Sequence, residues 1–376
     1  MKFKVEKSNL ERGLAKIKAA VDGSQSLPIL KGVKIEVRKP DVLILTATNL
    51  ENAICFKVDV ESAVDGVTVV DYARLSAVVS SMPDGTVAVQ VATRNKRNVI
   101  ELVCGACRSA LATLDPADWP KISRIEKGKT AKIDAKSIIG AFKFTRHAFS
   151  VDTTRKNLMG ALCEIEPDGR LIVIGTDGSR MAVYGKFDGR NAKVSEAIIP
   201  AKLVSAILDA IKDEDCQFNV TTDGDMIRVE AVKDAKWAVQ GRLFDGALFK
   251  WRNVIPKSFE YAITADRYEL ADNFTRASKG EEMEGTNPCV KVTINAGMIV
   301  IDGKSEECEM HTEMPCKFDG EKIEMFINPD KVVQALNAAT DDDVTIRIND
   351  GHSLIMIECE ESGTKEIVMP LRVNAN

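Results

Sequence analysis

The sequence lacks the features of a membrane protein and of a secreted protein. No apolar run approaches the roughly 18 uncharged residues that a transmembrane helix needs, and the first residues, MKFKVEKSNLERG, contain no stretch like the apolar part of a signal peptide. Nine cysteines are an odd number scattered through strand-like segments, which favours reduced thiols over a disulfide framework. We therefore expect a cytoplasmic protein.

Residues that could do chemistry are also scarce, with only three histidines in 376 residues. Residues 303–305, GKS, lack the glycine-rich loop of a phosphate-binding motif. The CxxC at 104–107 lies between strand-like segments rather than before a helix, and the Cys and His residues in 308–316 fit no standard zinc spacing. No nucleophile stands beside an obvious base. We predict no catalytic residue, no metal site and no cofactor.

What the sequence does contain is an internal repeat. An apolar residue, a polar residue or proline, and then apolar residues at helical spacing recur six times, at intervals of 63 to 66 residues. The pattern predicts short amphipathic helices within residues 5–21, 70–82, 133–149, 199–212, 263–279 and 327–339. Side chains that can cap the first amide groups stand at four of the starts, at Asp71, Asp134, Thr264 and Asn328.

Between the predicted helices lie alternating β-branched runs joined by turn residues. The turn residues Asp41, Gly169 and Gly297 are separated by 128 residues and then by 128 again. We therefore predict an α+β fold of three tandem similar domains, each a duplicated half-unit of one helix and several strands. The predicted domains are residues 1–125, 126–252 and 253–376, with about two dozen strands in all.

Basic residues concentrate on the predicted helices of this acidic protein. The six helical segments together have a net charge of +5, which leaves −10 on the rest of a chain of net charge −5. Each lysine or arginine could simply be solvated, but one basic face could also hold a polyanion through phosphate contacts. The candidate residues are Lys7, Arg12, Lys16, Arg74, Lys136, Lys143, Arg146, Lys202 and Lys212. All of these lie in the first two predicted domains.

Several segments resemble one known family, the bacterial DNA polymerase III beta subunit or sliding clamp. The resemblance rests on SLPILKGVKIEV (26–37), LATLDPADWPKI (111–122), LIVIGTDGSRMAV (171–183), DGALFKWRNVIP (245–256) and IVMPLRV (367–373). It implies that two chains close head to tail into a ring around double-stranded DNA, with the helices facing the hole. A homodimer that slides on DNA and tethers a polymerase is the implied function, without catalysis by this chain.

The resemblance also implies one pocket per chain, between the second and third domains, where replication proteins insert a short peptide with apolar ends. The implied partners are the DNA polymerase III alpha subunit, the clamp loader and other proteins with such peptides. The matching positions are Leu158, Thr176, Gly178, Arg180, Met181, Phe249, Asn253, Val254, Val368, Met369, Pro370, Leu371 and Arg372. For the apolar members, ordinary core packing is the competing interpretation.

Some positions depart from the family pattern. Phe249 and Asn253 stand where proline and arginine are common, and Ser24 and Asp152 replace two residues implied to lie near DNA. These departures keep open a specialised or mobile-element-encoded clamp that serves a repair or alternative polymerase. A nucleic-acid-processing enzyme on the same fold is the other alternative, and it would need a carboxylate cluster or metal ligands in the hole.

Overall fold

A computed structural model describes residues 1–21, 27–39, 41–123, 125–165, 170–185, 195–211, 215–232, 236–246, 249–280, 288–360 and 362–372. Within these ranges, no helix combines the length and the apolar character that crossing a membrane requires. Ser24 and Lys212 fall outside the described residues.

Six α-helices occur in the described ranges, one in each segment that the repeat predicts. They are α1 (Lys7–Ile17), α2 (Tyr72–Ser81), α3 (Ala135–Thr145), α4 (Ala201–Ile211), α5 (Arg267–Ala277) and α6 (Pro329–Ala338). Each begins a little later than its predicted segment, because the leading apolar residue belongs to the preceding strand. Apolar residues at helical spacing are buried, as Leu10, Leu14 and Ile17 are in α1.

Three of the four predicted helix caps are confirmed. Asp71, Asp134 and Asn328 each accept a hydrogen bond from the backbone N–H three residues later, at 2.9, 2.8 and 3.1 Å. The prediction for Thr264 was wrong. Thr264 lies within a strand, and Asp266 caps the helix instead by accepting a hydrogen bond at 2.8 Å from the N–H three residues later.

The described residues form 25 strands, close to the predicted two dozen. They are β1 (Lys2–Glu6), β2 (Gly32–Arg38), β3 (Val42–Thr48), β4 (Asn52–Asp59), β5 (Glu61–Val64), β6 (Gly66–Asp71), β7 (Thr86–Arg94), β8 (Arg97–Cys104), β9 (Cys107–Leu114), β10 (Lys129–Asp134), β11 (Gly160–Ile165), β12 (Leu171–Thr176), β13 (Arg180–Tyr184), β14 (Ser195–Pro200), β15 (Gln217–Thr222), β16 (Met226–Ala231), β17 (Trp237–Arg242), β18 (Tyr261–Asp266), β19 (Val290–Asn295), β20 (Met298–Lys304), β21 (Glu309–Pro315), β22 (Ile323–Ile327), β23 (Asp343–Ile348), β24 (Ile355–Cys359) and β25 (Thr364–Val368).

The chain forms two compact units. The first unit comprises residues 1–139 and 202–243, and the second comprises residues 140–201 and 244–376. The first contains one sheet of order β10-β15-β16-β17-β4-β3-β2-β6-β9-β8-β7-β1-β5. The second contains a sheet of order β14-β11-β12-β13-β25-β24-β23-β18 and another of order β21-β20-β19-β22. All of these strand pairs are antiparallel.

Each unit contains a junction at which strands from two predicted domains pair. In the first junction β17 pairs with β4, and in the second junction β25 pairs with β13. Because the ladder of backbone hydrogen bonds runs straight through each junction, each unit combines half of the middle predicted domain with one outer domain. The division into three domains at residues 125 and 252 stays a prediction.

The register of the strands repeats along the chain. Lys34 of β2 pairs with Thr46 of β3, and the residues 128 positions later, Leu162 and Ile174, pair in the same way. At the junctions, Gln240 pairs with Ala53, and Ile367 pairs with Met181. Side chains alternate between the two faces of a strand. A position on one face of the first junction therefore has a counterpart on the same face of the second.

Candidate functional site

One face of the second junction is covered by an apolar cluster. It forms where the segment 244–259 crosses the paired strands β12, β13, β25 and β24. The buried members are Leu162, Ile172, Ile174, Met181, Val183, Ile198, Trp251, Leu354, Met356 and Ile367, with Phe244, Val254, Ile255 and Phe259 packed against them. Burial of apolar area at this scale stabilises the junction, and the partly buried side chains at its border are the members that a peptide could reach.

Trp251 fixes the crossing segment to the sheet. Its side chain is 1% exposed, and its indole N–H donates a hydrogen bond of 2.9 Å to Oε1 of Glu164. Arg252 contacts the same carboxylate, with Nη2 2.7 Å from Oε2, and its guanidinium lies 4.2 Å from the centre of the Trp251 ring. Because Glu164 is fully buried, this paired arrangement is needed to offset the cost of removing its charge from water.

A hydrogen-bonded turn borders the cluster. The hydroxyl of Thr176 donates to the carbonyl oxygen of Arg180 at 2.6 Å and accepts from the N–H of Gly178 at 3.1 Å. Gly178 has a φ of 92°, which glycine adopts readily. Asp177 accepts from the N–H of Ser179 at 2.8 Å. Burial would raise the pKa of Asp177, but hydrogen bonds from Ser179 and the charges nearby lower it, so the side chain stays anionic.

Arg180 ties this turn to the last predicted domain. Its Nη1 donates to Oε1 of Gln334 in α6 at 2.6 Å, and its Nε donates to Oδ2 of Asp177 at 3.1 Å. Lys331, also in α6, lies 3.6 Å from Oδ2 of Asp177 and donates a hydrogen bond to Ser179. Arg180 is thus held in place rather than free to follow a ligand.

The C-terminal segment passes along the same turn. The N–H of Met369 donates to the carbonyl oxygen of Ser179 at 2.9 Å, while its side chain is 41% exposed. The N–H of Leu371 donates to the carbonyl oxygen of Phe326 at 2.7 Å. Pro370 and Leu371 are half-buried. Backbone bonds therefore fix a segment whose apolar side chain at position 369 reaches solvent.

The structure brings most of the predicted pocket residues to this region. Met181 is buried in the apolar cluster, and Val254 packs against it. Leu158 is half-buried at the end of a short 3₁₀ turn, Lys156–Leu158. Phe249, at 36% exposure, and Asn253 are exposed on the crossing segment. Arg372 is exposed after β25.

The prediction that Val368 lines the pocket was wrong. Val368 is fully buried in the core formed by the last predicted domain, on the opposite face of β25. Ile367 faces the Met181 cluster in its place. Adjacent residues of a strand point to opposite faces, so Ile367 and Val368 cannot both line the pocket. The sequence alone does not show which of the two faces it. The sequence also did not single out Trp251 and Glu164, whose contact joins positions 87 residues apart.

A cavity of about 410 Å³ lies beside the turn, lined in part by Asp152, Arg155 and Gly178. Asp152 accepts hydrogen bonds from the N–H and hydroxyl of Thr154 at 2.9 and 2.7 Å and from Arg155 at 2.9 Å. These contacts lower the pKa of Asp152 to about 2. A fixed negative charge therefore stands at a position where the family resemblance implies a DNA contact.

The predicted DNA-facing residues differ in their exposure to solvent and in whether a nearby group already binds their charge. Arg12, Arg74, Lys136, Lys143, Arg146 and Lys202 are exposed. Lys7 is half-buried, with Nζ 3.2 Å from Oδ1 of Asp84. Lys16 donates to the carbonyl oxygen of Ala210 and lies 5.9 Å from the centre of the Trp237 ring. Lys136 and Lys202 each lie 3.7 Å from a carboxylate, of Asp215 and Glu51, so the charges most available to a polyanion are those of Arg12, Arg74, Lys143 and Arg146.

Within the described ranges, no group of three or more His, Cys, Asp or Glu side chains is placed to bind a metal ion. Cys104 and Cys107 lie opposite each other in the antiparallel ladder at the tight turn between β8 and β9, as free thiols. This agrees with their predicted place between strands.

Comparison with known proteins gives the family. Models of the DNA polymerase III beta subunit match in two places, the N-terminal domain at residues 1–123 and the C-terminal domain at residues 252–372. The beta sliding clamps of Vibrio cholerae and Escherichia coli K12 are each 26% identical over 379 residues, covering 99% of this chain and all of theirs. The DNA polymerase III beta subunit of Pseudomonas aeruginosa has the same fold, with a TM-score of 0.90 at 21% identity, over 99% of this chain and all of that one.

Repeated half-units joined by shared sheets define this chain as a clamp-type scaffold. It belongs to the DNA polymerase III beta subunit family, the sliding clamps, which are processivity factors and not enzymes. The enzymatic alternative is thereby excluded. The family also implies DNA, a polymerase and a second copy of the chain as partners.

Proposed function

We propose that the second junction is the surface on which this clamp receives its partners, among them the polymerase alpha subunit and the clamp loader. The observation that supports this proposal best is the position of Met369. Its backbone is hydrogen-bonded to Ser179, two residues before the buried Met181, while its apolar side chain is exposed. An incoming peptide could bury apolar side chains there and form hydrogen bonds at the turn 176–180.

We propose further that the ring closes through β9 and β21 of two copies. At both junctions, the last strand of one predicted domain pairs with the fourth strand of the domain before it, as β17 does with β4. By the same rule β9, the last strand of the first domain, would pair with β21 of a second copy through residues 107–112, since β6 pairs with β9 only at Thr113 and Leu114. β21 is the edge of its sheet, and its exposed Glu309 and Glu313 are complementary in charge to the exposed Arg108 of β9.

In the closed ring, the exposed basic residues of α1 to α4 would contact phosphates. Such contacts are sequence-independent, so that the ring is not held in one register on DNA. Topological linkage then replaces tight binding, and a tethered polymerase stays at high effective concentration near its template.

A peptide-binding experiment tests the second junction. A fluorescein-labelled peptide with leucine and phenylalanine near its end is titrated with the native dimer, and binding is followed by anisotropy. Leu158→Asp, or removal of residues 369–376, should weaken binding by at least about tenfold, since a charge or a missing wall disrupts an apolar site. Val232→Asp adds the same charge at an exposed turn in the first unit and should leave the affinity unchanged. Equal affinity in all variants, with the dimer intact, would contradict the proposal.

The specialised clamp stays a second candidate because Phe249 and Asn253 are exposed beside the second junction, where they can alter partner choice. Phe249→Pro with Asn253→Arg restores the common family residues. If the chain serves an unusual polymerase, this change should strengthen binding of the C-terminal peptide of a replicative alpha subunit and weaken binding of the peptide of its own polymerase. An unchanged preference would remove this candidate.

A further inference from the structure

The first junction has a different surface from the second, although both have the same strand register. The first connecting segment, residues 115–125, crosses one face of the first junction. Five apolar residues of the second junction have counterparts on this face, and these counterparts are mostly polar or smaller. Leu162, Ile174, Met181, Met356 and Ile367 correspond to Lys34, Thr46, Ala53, Arg228 and Gln240. The second face is closed by apolar packing, and the first is not.

A cavity of about 690 Å³ occupies the first junction, between this face and the side chains of Pro116, residues 119–122 and Ile125. A second cavity of about 340 Å³ shares Ala53, Ile122 and Gln240 with it. Ligand pockets commonly have volumes of roughly 300–1,000 Å³. The space thus has the size of a binding site, whereas the equivalent face of the second junction is filled by buried side chains.

The cavity lining is strongly cationic. Lys34, Arg38, Lys57, Lys121 and Arg228 contribute five positive charges, against a single carboxylate. That carboxylate, Glu36, is already paired with Nε of Arg38 at 2.6 Å and with Nζ of Lys34 at 3.3 Å. Arg228 is paired as well, with Nε 2.8 Å from Oε2 of Glu230. Among the described residues, Lys57 and Lys121 have no ion-pair partner. In a chain of net charge −5 this local excess favours an anionic ligand.

A buried donor points to the same conclusion. The indole nitrogen of Trp119, which lines the cavity, is inaccessible to solvent and has no hydrogen-bond acceptor among the described residues. Buried donors are rarely left unpaired, because the lost hydrogen bond to water is not replaced. In the second junction Trp251 has the corresponding role and donates to Glu164. Trp119 thus lacks an acceptor, and an acidic ligand would supply one once the ring turns its nitrogen toward the cavity.

We infer that the first junction binds an acidic peptide segment of a partner protein, with its carboxylates on Lys57 and Lys121 and an apolar side chain against Ile44 and Ile122. The apolar part of the cavity, which includes Ile44, Ile122 and Ile125, favours a peptide over a nucleic acid strand. A nucleic acid would need a continuous track of cations and bases stacked on aromatic rings. Here one half-buried aromatic ring, Trp119, lines the cavity.

The test uses the full-length native dimer carrying Leu158→Asp, which disables the second junction. The probe is a fluorescein-labelled peptide, Asp-Glu-Leu-Asp-Ile-Phe-Glu-Asp, and a peptide with lysine at each acidic position is the control. Binding is followed by anisotropy and by the indole N–H signals of the three tryptophans in the NMR spectrum, with Trp119 assigned from Trp119→Phe. We expect the acidic peptide to shift the Trp119 signal and the basic peptide to leave it in place.

Two variants make the test specific. Lys57→Glu should weaken binding by at least about tenfold, whereas Lys57→Arg should retain it, since the charge is kept. Thr46→Ile with Ala53→Met gives the first junction two of the side chains of the second, narrows the cavity and should reduce the Trp119 shift in a folded protein. A Trp119 signal that does not move with the acidic peptide, that moves equally in the narrowed variant, or that moves only with single-stranded oligothymidine would overturn the inference.

Discussion

The two junctions of this chain share a backbone and differ in their side chains. In both, antiparallel strands from neighbouring predicted domains pair in equivalent register. In the second junction one face of the sheet is sealed by an apolar cluster and a fully buried tryptophan, Trp251. In the first, charged residues surround a cavity, and Trp119 is half-buried. Strand pairing therefore joins the domains, and the side chains of one face determine which ligands each junction can take.

The largest expected difference concerns the two tryptophans. Trp251→Ala should lower the free energy of unfolding by about 3–5 kcal/mol, because it empties a packed site and removes one of the donors to the buried carboxylate of Glu164. Trp119→Ala should cost no more than about 2 kcal/mol, since less apolar area is buried there. Urea denaturation followed by circular dichroism measures both. Equal losses would mean that the first junction is as tightly closed as the second.

The next largest difference between the junctions is in the pH dependence of stability. Glu366 of β25 is buried, with Oε1 3.2 Å from Nε2 of His147, whereas the corresponding position of β17 is the apolar Val239. Burial raises the pKa of Glu366 to about 7, although His147 and Arg180 oppose the rise. A carboxyl whose pKa is raised by folding binds its proton more tightly in the native state, so stability falls as pH rises from about 4.5 to about 7.

Glu366→Gln should remove this loss, which amounts to no more than roughly 3 kcal/mol. Thermal denaturation of both proteins between pH 4.5 and 8 provides the measurement. Other carboxyl groups titrate equally in the two proteins, so the difference between their curves isolates Glu366. Parallel curves would show that the buried carboxyl does not titrate in this range.

The smallest expected effect concerns DNA. Arg12 in α1 is exposed, and Arg12→Glu should weaken sequence-independent binding of duplex DNA and make the plot of log affinity against log salt shallower by about 1 to 2. Arg276→Glu in α5 should change it little, because the helices of the last predicted domain have no net charge. Equal effects would show that DNA sits evenly in the ring rather than toward the first two domains.

How far the sequence predicted the structure depended on whether a feature is local. The period of 128 residues, six helices and caps such as Asp71 follow from spacing and hydrogen-bonding side chains, and the structure agrees. Thr264 was misassigned because the strand before α5 runs to Asp266, which pairing with β23 determines. The choice of Ile367 over Val368 and the contact between Trp251 and Glu164 depend on tertiary packing, which a single sequence does not specify.

Whether the clamp is linked topologically to DNA is the most direct test of its function. The protein is loaded on nicked circular DNA, washed at high salt, and the DNA is then cut once. A closed ring held by linkage should stay on the circle through the wash and leave after linearisation. Retention on the linear molecule, or loss from the uncut circle at high salt, would contradict the sliding-clamp account.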